Sequence, residues 1–204
     1  DVYRLVPPRH ALLSIAGGAV IAVASAVANR ALLDQFDFTL SDMTRYVAPV
    51  VEETAKAAWL VFLVRRHRCG FLVDAAIHGF AVGAGFAFVE NVYYLLNVGD
   101  APLSLWIVRG FGTAVMHGCA TAIFAIGYKE IFDRAPGRDW YLLVIPWLVA
   151  TALHSAFNHF HLPALANTLV LLIVFPLLTL GVLARSERAP QSWVREGFDN
   201  DAEM

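Results

Sequence analysis

Charge is scarce in this chain. Asp, Glu, Lys and Arg make up 16% of its 204 residues, against about 25% in a soluble globular domain. Hydrophobic residues reach 58% and the mean hydropathy is +0.60. A chain so poor in charge and so rich in apolar residues belongs in a bilayer. Cysteine is scarce too: Cys69 lies beside a basic cluster and Cys119 inside an apolar run. Two such residues imply no disulfide framework. No dense basic patch accompanies the net charge of −2, which argues against a nucleic-acid partner. Alternating apolar and polar residues are missing, so a β-barrel is not expected. Internal repeats and low-complexity runs are absent as well. The only extended polar stretch is RSERAPQSWVREGFDNDAEM, residues 185–204. It is expected to be a polar cytoplasmic tail following a helix bundle over residues 1–184.

Six apolar segments are present, at 11–28, 46–64, about 71–97, about 103–127, about 140–160 and about 164–184. About 20 apolar residues cross about 30 Å of hydrocarbon, and backbone groups in lipid must pair within their own segment. The expected fold is therefore all-α, a polytopic bundle of about six transmembrane helices. The first segment lacks a small-residue cleavage motif and reads as a retained span rather than a signal peptide. Eleven of the 15 Lys and Arg residues fall on one side of this arrangement and four on the other side or within the membrane. Positive residues collect in the cytoplasm, so both termini are expected there, with the protein multi-pass in the cell membrane.

Segment 46–64 contains VEETAKAAW, which places Glu52, Glu53 and Lys56 inside a span. Each such charge costs about 2.5–3.5 kcal/mol at mid-bilayer on insertion scales. Glu52 and Glu53 lie seven or eight residues from the outer end, roughly 10–12 Å deep. Glu90, His154 and Asn158 lie at similar depth on other segments, with His117 nearer the middle of its own. Four helices thus offer polar side chains to one layer, where they can line one chamber. Glu52 and Lys56 stand four residues apart and can pair on one helix face, and Pro49 is placed to kink that span. His78 and Asp74 are expected near the cytoplasmic interface, and His159 and His161 near the outer one.

Amide hydrolysis needs a base for water, a donor for the oxyanion and a proton for the leaving amine. A carboxylate drawn out of water holds a proton more readily, which suits it to base work near neutral pH. Two histidines and a carboxylate are equally a zinc set with one position open for water. Both versions are hydrolases. A proton- or cation-coupled small transporter or channel is the competing class, because intramembrane carboxylates and histidines also relay protons. No inverted repeat or pair of broken helices supports it. A third reading is a non-catalytic scaffold that binds a helix in the same groove.

The residues resemble those of the PrsW family of intramembrane proteases. Glu52-Glu53-Thr54-Ala55-Lys56 is similar to its EExxK motif, Phe86-Ala87-Phe88-Val89-Glu90 to its FxxxE, His117 to its isolated histidine and His154-Ser155-Ala156-Phe157-Asn158 to its HxxxN. All four occur in order on separate spans. The related CAAX prenyl proteases carry EExxxR and a histidine where Glu90 stands, so the chain is closer to PrsW. The resemblance implies a peptidase acting on a transmembrane protein substrate of the anti-sigma-factor type. It implies Glu90, His117 and His154 as zinc ligands or oxyanion binders. Glu52 or Glu53 then activates water, Lys56 tunes the pair, and Asn158 orients the oxyanion or His154.

Overall fold

A computed structural model describes residues 6–66, 69–97, 106, 108–134 and 140–159, with scattered positions between 166 and 184. The tail, the connections around 98–105 and 160–165, His161 and the side chain of Arg109 lie outside the described residues. Within them the chain is helical and contains no strand, as its apolar runs require.

Helix α1 spans Pro8–Gln35, with proline in its first turn, where a missing N–H costs nothing. After Phe36 turns extended, a single turn, α2 (Leu40–Asp42), starts from Thr39, whose Oγ1 accepts from the Asp42 backbone N–H at 3.1 Å. It runs without a break through a π-helical turn, Met43–Val47, into α3, Ala48–Arg65. Helix α4, Leu72–Asn97, begins where the Asp74 carboxylate accepts from the backbone N–H groups of Gly70 and Phe71, both at 3.0 Å. A second π-helical turn, Val108–Thr113, leads into α5, Ala114–Arg134. A 3-10 turn, Trp140–Leu143, opens α6, Val144–Asn158.

Helix α4 is the centre, flanked by α1 on one side and α5 on the other; α3 packs on α1, α5 and α6. The packing is inverted relative to a soluble protein. Leu12, Val20, Val27, Phe80, Phe88, Leu96 and Ile145 are exposed, whereas Glu53, Lys56, His78, His117 and His154 are buried. Long apolar side chains outside and polar groups inside suit a hydrocarbon surround. Small residues let the helices meet. A Cβ on Gly85 would lie 2.1 Å from the Ile15 carbonyl oxygen, and one on Gly83 would lie 2.2 Å from that of His117. Close backbone approach over glycine is the usual glue between membrane helices, and here it sets the distance from α4 to the histidine of α5.

Among the described residues, four helical stretches are long and apolar enough to cross a membrane: Pro8–Gln35, Leu72–Asn97, Gly110–Arg134 and Tyr141–Asn158. Helix α3, expected as the second span, does not reach that standard, since its 18 residues hold Glu52, Glu53, Lys56 and Arg65. Glu53 and Lys56 are buried in the bundle and Glu52 is half-buried, whereas Arg65 at the helix end is exposed. The expected sixth span is described only at scattered helical positions, among them the short apolar stretch Leu172–Gly181. His78 departs from expectation: it is buried, with Ser14 Oγ of α1 2.7 Å from its Nδ1. Cys69, between α3 and α4, is buried, and burial pushes its thiol up to about 11. It is neither bonded nor poised as a nucleophile.

Gly83→Val should lower stability by about 1–3 kcal/mol through overpacking and shift α5 at His117. Gly110→Ala, where an added Cβ meets nothing within 4 Å, should stay within about 0.5 kcal/mol of wild type. Thermal unfolding of the purified variants in one detergent checks both.

Candidate active site

A little more than one turn of α3, from Glu52 to Lys56, supplies the charges. Glu53 and Lys56 are three residues apart and both fully buried, and the ammonium donates to Glu53 Oε1 at 2.8 Å. The pair forms with Glu53 rather than with Glu52, the partner expected from i, i+4 spacing. The reason is tertiary: Lys56 Nζ also donates to His117 Nδ1 at 2.8 Å, and the face of α3 carrying Glu53 is the one turned toward α5 and α6. The ring of Phe86 covers the ammonium at 3.9 Å from its centroid. Two acceptors and an aromatic face thus surround a cation that has no water.

This contact fixes the tautomer of His117. With Nδ1 accepting from the ammonium, Nε2 carries the proton and donates to Glu90 Oε2 of α4 at 3.0 Å. His154 of α6 donates Nδ1–H to Glu53 Oε1 at 2.9 Å, so the neutral ring turns the Nε2 lone pair away from Glu53. That nitrogen lies 3.9 Å from Glu52 Oε2. The two imidazoles meet edge to face with centroids 4.6 Å apart. Glu52 Oε1 accepts from Asn29 Nδ2 of α1 at 3.1 Å. Its Oε2 is buried and has no hydrogen-bond partner among the described residues.

Six of the seven residues singled out from the sequence, Glu52, Glu53, Lys56, Glu90, His117 and His154, thus meet in one connected network drawn from α3, α4, α5 and α6. Asn158 stands apart. Its Nδ2 donates to the Thr44 carbonyl at 2.8 Å, in the turn that precedes α3. Asn29 escaped notice in the sequence. Its signal was there, a lone amide one residue past the first apolar segment, but a single Asn in a span usually reads as an interhelical hydrogen bond.

Glu52, His117 and His154 each offer a ligand atom within 4.8 Å of the other two. Glu90, the carboxylate that the resemblance implied as a ligand, sits on His117. Three carboxyl groups face one ammonium here. The open Glu52 oxygen and the Nε2 lone pair of His154 fit a divalent cation, while both nitrogens of His117 are taken, by Lys56 and Glu90.

The family model described as PrsW family intramembrane metalloprotease matches residues 6–182. The chain belongs to the PrsW family. It is therefore a peptidase, a multi-pass membrane protein whose family cleaves within the bilayer. No curated protein and no solved structure matches the chain.

Lys56→Met should leave Glu53 buried without its cation and cost about 3–5 kcal/mol. Adding Glu53→Gln to it removes the stranded charge, so the double variant should unfold at a higher temperature than Lys56→Met alone. A double variant less stable than the single would mean that the pair is not the charge balance described.

Proposed function

We propose that the chain hydrolyses a peptide bond of a membrane-anchored protein at the gap between Glu52 and His154, in the outer half of the cell membrane. The observation that carries this reading is the facing pair, Glu52 Oε2 and His154 Nε2, both acceptors and 3.9 Å apart. Acceptors so placed suit one water that donates a hydrogen to each and keeps its oxygen lone pair for a carbonyl carbon. Of the two adjacent glutamates, Glu52 is the better base, because Glu53 Oε1 already accepts from Lys56 and His154. Glu52 takes the proton as the water oxygen bonds to the scissile carbon. It returns that proton to the amine as the C–N bond breaks. Asn29 holds Glu52 Oε1 and so aims Oε2. Glu53 holds His154, and Lys56 balances the charge of Glu53. His117 Nε2–H, now on Glu90, is the donor placed to receive the developing oxyanion.

The metal that the family's designation implies would be held by Glu52 and His154, and by His117 once its Nε2 gives up the proton now shared with Glu90. A zinc ion bound there would polarise the scissile carbonyl and lower the pKa of a water to about 7. The resemblance suggests an anti-sigma-factor-like substrate, and the depth of the site suits a scissile bond near the outer surface.

Cells carrying Glu52→Gln in place of wild type should accumulate at least one uncut membrane protein, found by comparing their membrane proteomes. Loss of general base catalysis predicts a rate about 10²–10⁴ lower. Unchanged proteomes, together with ion flux into liposomes that Glu52→Gln abolishes, would replace the peptidase reading with transport. The purified protein should carry about one zinc per chain, lost in both His117→Ala and His154→Ala. Full peptidase activity in chelated, metal-free protein would remove zinc from the reading.

A further inference from the structure

The wide turn ahead of α3 exposes two carbonyls, and α6 covers both. In an α-helix the N–H of residue 49 would bond to the carbonyl of residue 45, and in a π-helix to that of residue 44. Position 49 is proline, with no N–H to give. The Ala48 N–H, which could have served Thr44, goes to the Met43 carbonyl five residues back. The Thr44 carbonyl thus lacks both its α- and π-register donors and the Arg45 carbonyl lacks its α-register donor, inside a protein in lipid, where such a loss is costly. Two side chains of α6 supply the missing hydrogens. Ser155 Oγ donates to the Arg45 carbonyl at 2.7 Å, and Asn158 Nδ2 donates to the Thr44 carbonyl at 2.8 Å. Ser155 adjoins His154, and Asn158 lies one turn beyond it. On the other side, Glu52 and Glu53 follow Pro49 by a single turn.

We propose that Pro49, Ser155 and Asn158 form a backbone clamp that fixes the height of α6 on α3, and that Ser155 and Asn158 are positioning residues for the contact between His154 and Glu53. The clamp explains why a proline is tolerated so near the charged pair: the donor it withholds is replaced from another helix, and this replacement carries the register. Without it, α6 keeps fewer bonds to α3, among them Trp147 Nε1–H to Thr54 Oγ1 at 3.1 Å. The His154 Nδ1–H bond to Glu53 at 2.9 Å is the first contact to suffer. This role deepens the peptidase reading and rests on it for its purpose, but its test does not depend on cleavage.

The test is a double-mutant cycle in detergent, read by thermal unfolding and by 15N NMR of histidine-labelled protein. Ser155→Ala should lower Tm by roughly 2–4 °C, as expected for one lost hydrogen bond in a chain of this size. In a Pro49→Ala background the same serine change should lower Tm by less than half as much, because that substitution restores an N–H for the Arg45 carbonyl. Equal losses in both backgrounds would overturn the clamp. Asn158→Ala should shift the His154 Nδ1 signal away from its position in wild type, while Ser155→Thr, which keeps the hydroxyl, should leave it in place. A His154 signal unmoved by Asn158→Ala would reduce the clamp to packing and overturn the positioning role. If Glu52→Gln leaves the membrane proteome unchanged but the cycle is non-additive, the clamp stands and the proposed role of Glu52 falls alone.

Discussion

The site is organised by one buried ammonium. Lys56 has essentially no exposed surface, and it holds Glu53 and His117 at 2.8 Å each. An isolated cation in this position would be prohibitively costly. Its two acceptors come from different helices, so its desolvation is compensated only when α3 and α5 are docked. Through Glu53 the constraint passes to His154 on α6, and through His117 to Glu90 on α4. Four helices are thus oriented by one charge, and the tautomers of both histidines follow from it. Breaking such a network at one member leaves a stranded charge, while removing it in balanced pairs does not.

The rest of the bundle serves that arrangement. Glycines on α4 let α1 and α5 approach until backbone meets backbone, and Gly83 does so against the very carbonyl of His117. Wide π-helical turns precede both α3 and α5, the two helices that carry Lys56 and its histidine. Such turns recur at functional sites because they rotate the following helix and free backbone acceptors. Here the first of them gives its free acceptors to α6. Long apolar residues such as Leu12, Val20 and Phe88 are exposed, whereas the network around Lys56 is buried, which keeps the chemistry in the interior.

The helical class and the convergence of polar residues from separate spans were legible in the sequence, because charges in apolar runs are costly enough to mark themselves. The pairing inside the cluster was not. Lys56 has Glu52 four residues before it and Glu53 three before it, and helical spacing permits either. Which one it takes depends on where His117 and His154 arrive, a tertiary fact. Ser155 gave no signal, since a serine in a span is ordinary and its acceptor exists only because Pro49 lies on a different helix. His78 was placed at the interface by its distance from a helix end, yet Ser14 of α1 meets it in the interior. The second expected span was read from its apolar run, and the helix there falls short of a membrane-crossing composition because Glu52, Glu53 and Lys56 dilute it.

Helix α1 has 28 residues, about 42 Å of helix against about 30 Å of hydrocarbon, so its ends extend past the slab. Its apolar run, 11–28, accounts for about 27 Å of that length. Asn29 stands one residue past the run and touches Glu52. The carboxylate proposed as the base is thus tethered where a span passes from hydrocarbon to headgroups, and the polar rim of a span becomes a working part of the enzyme.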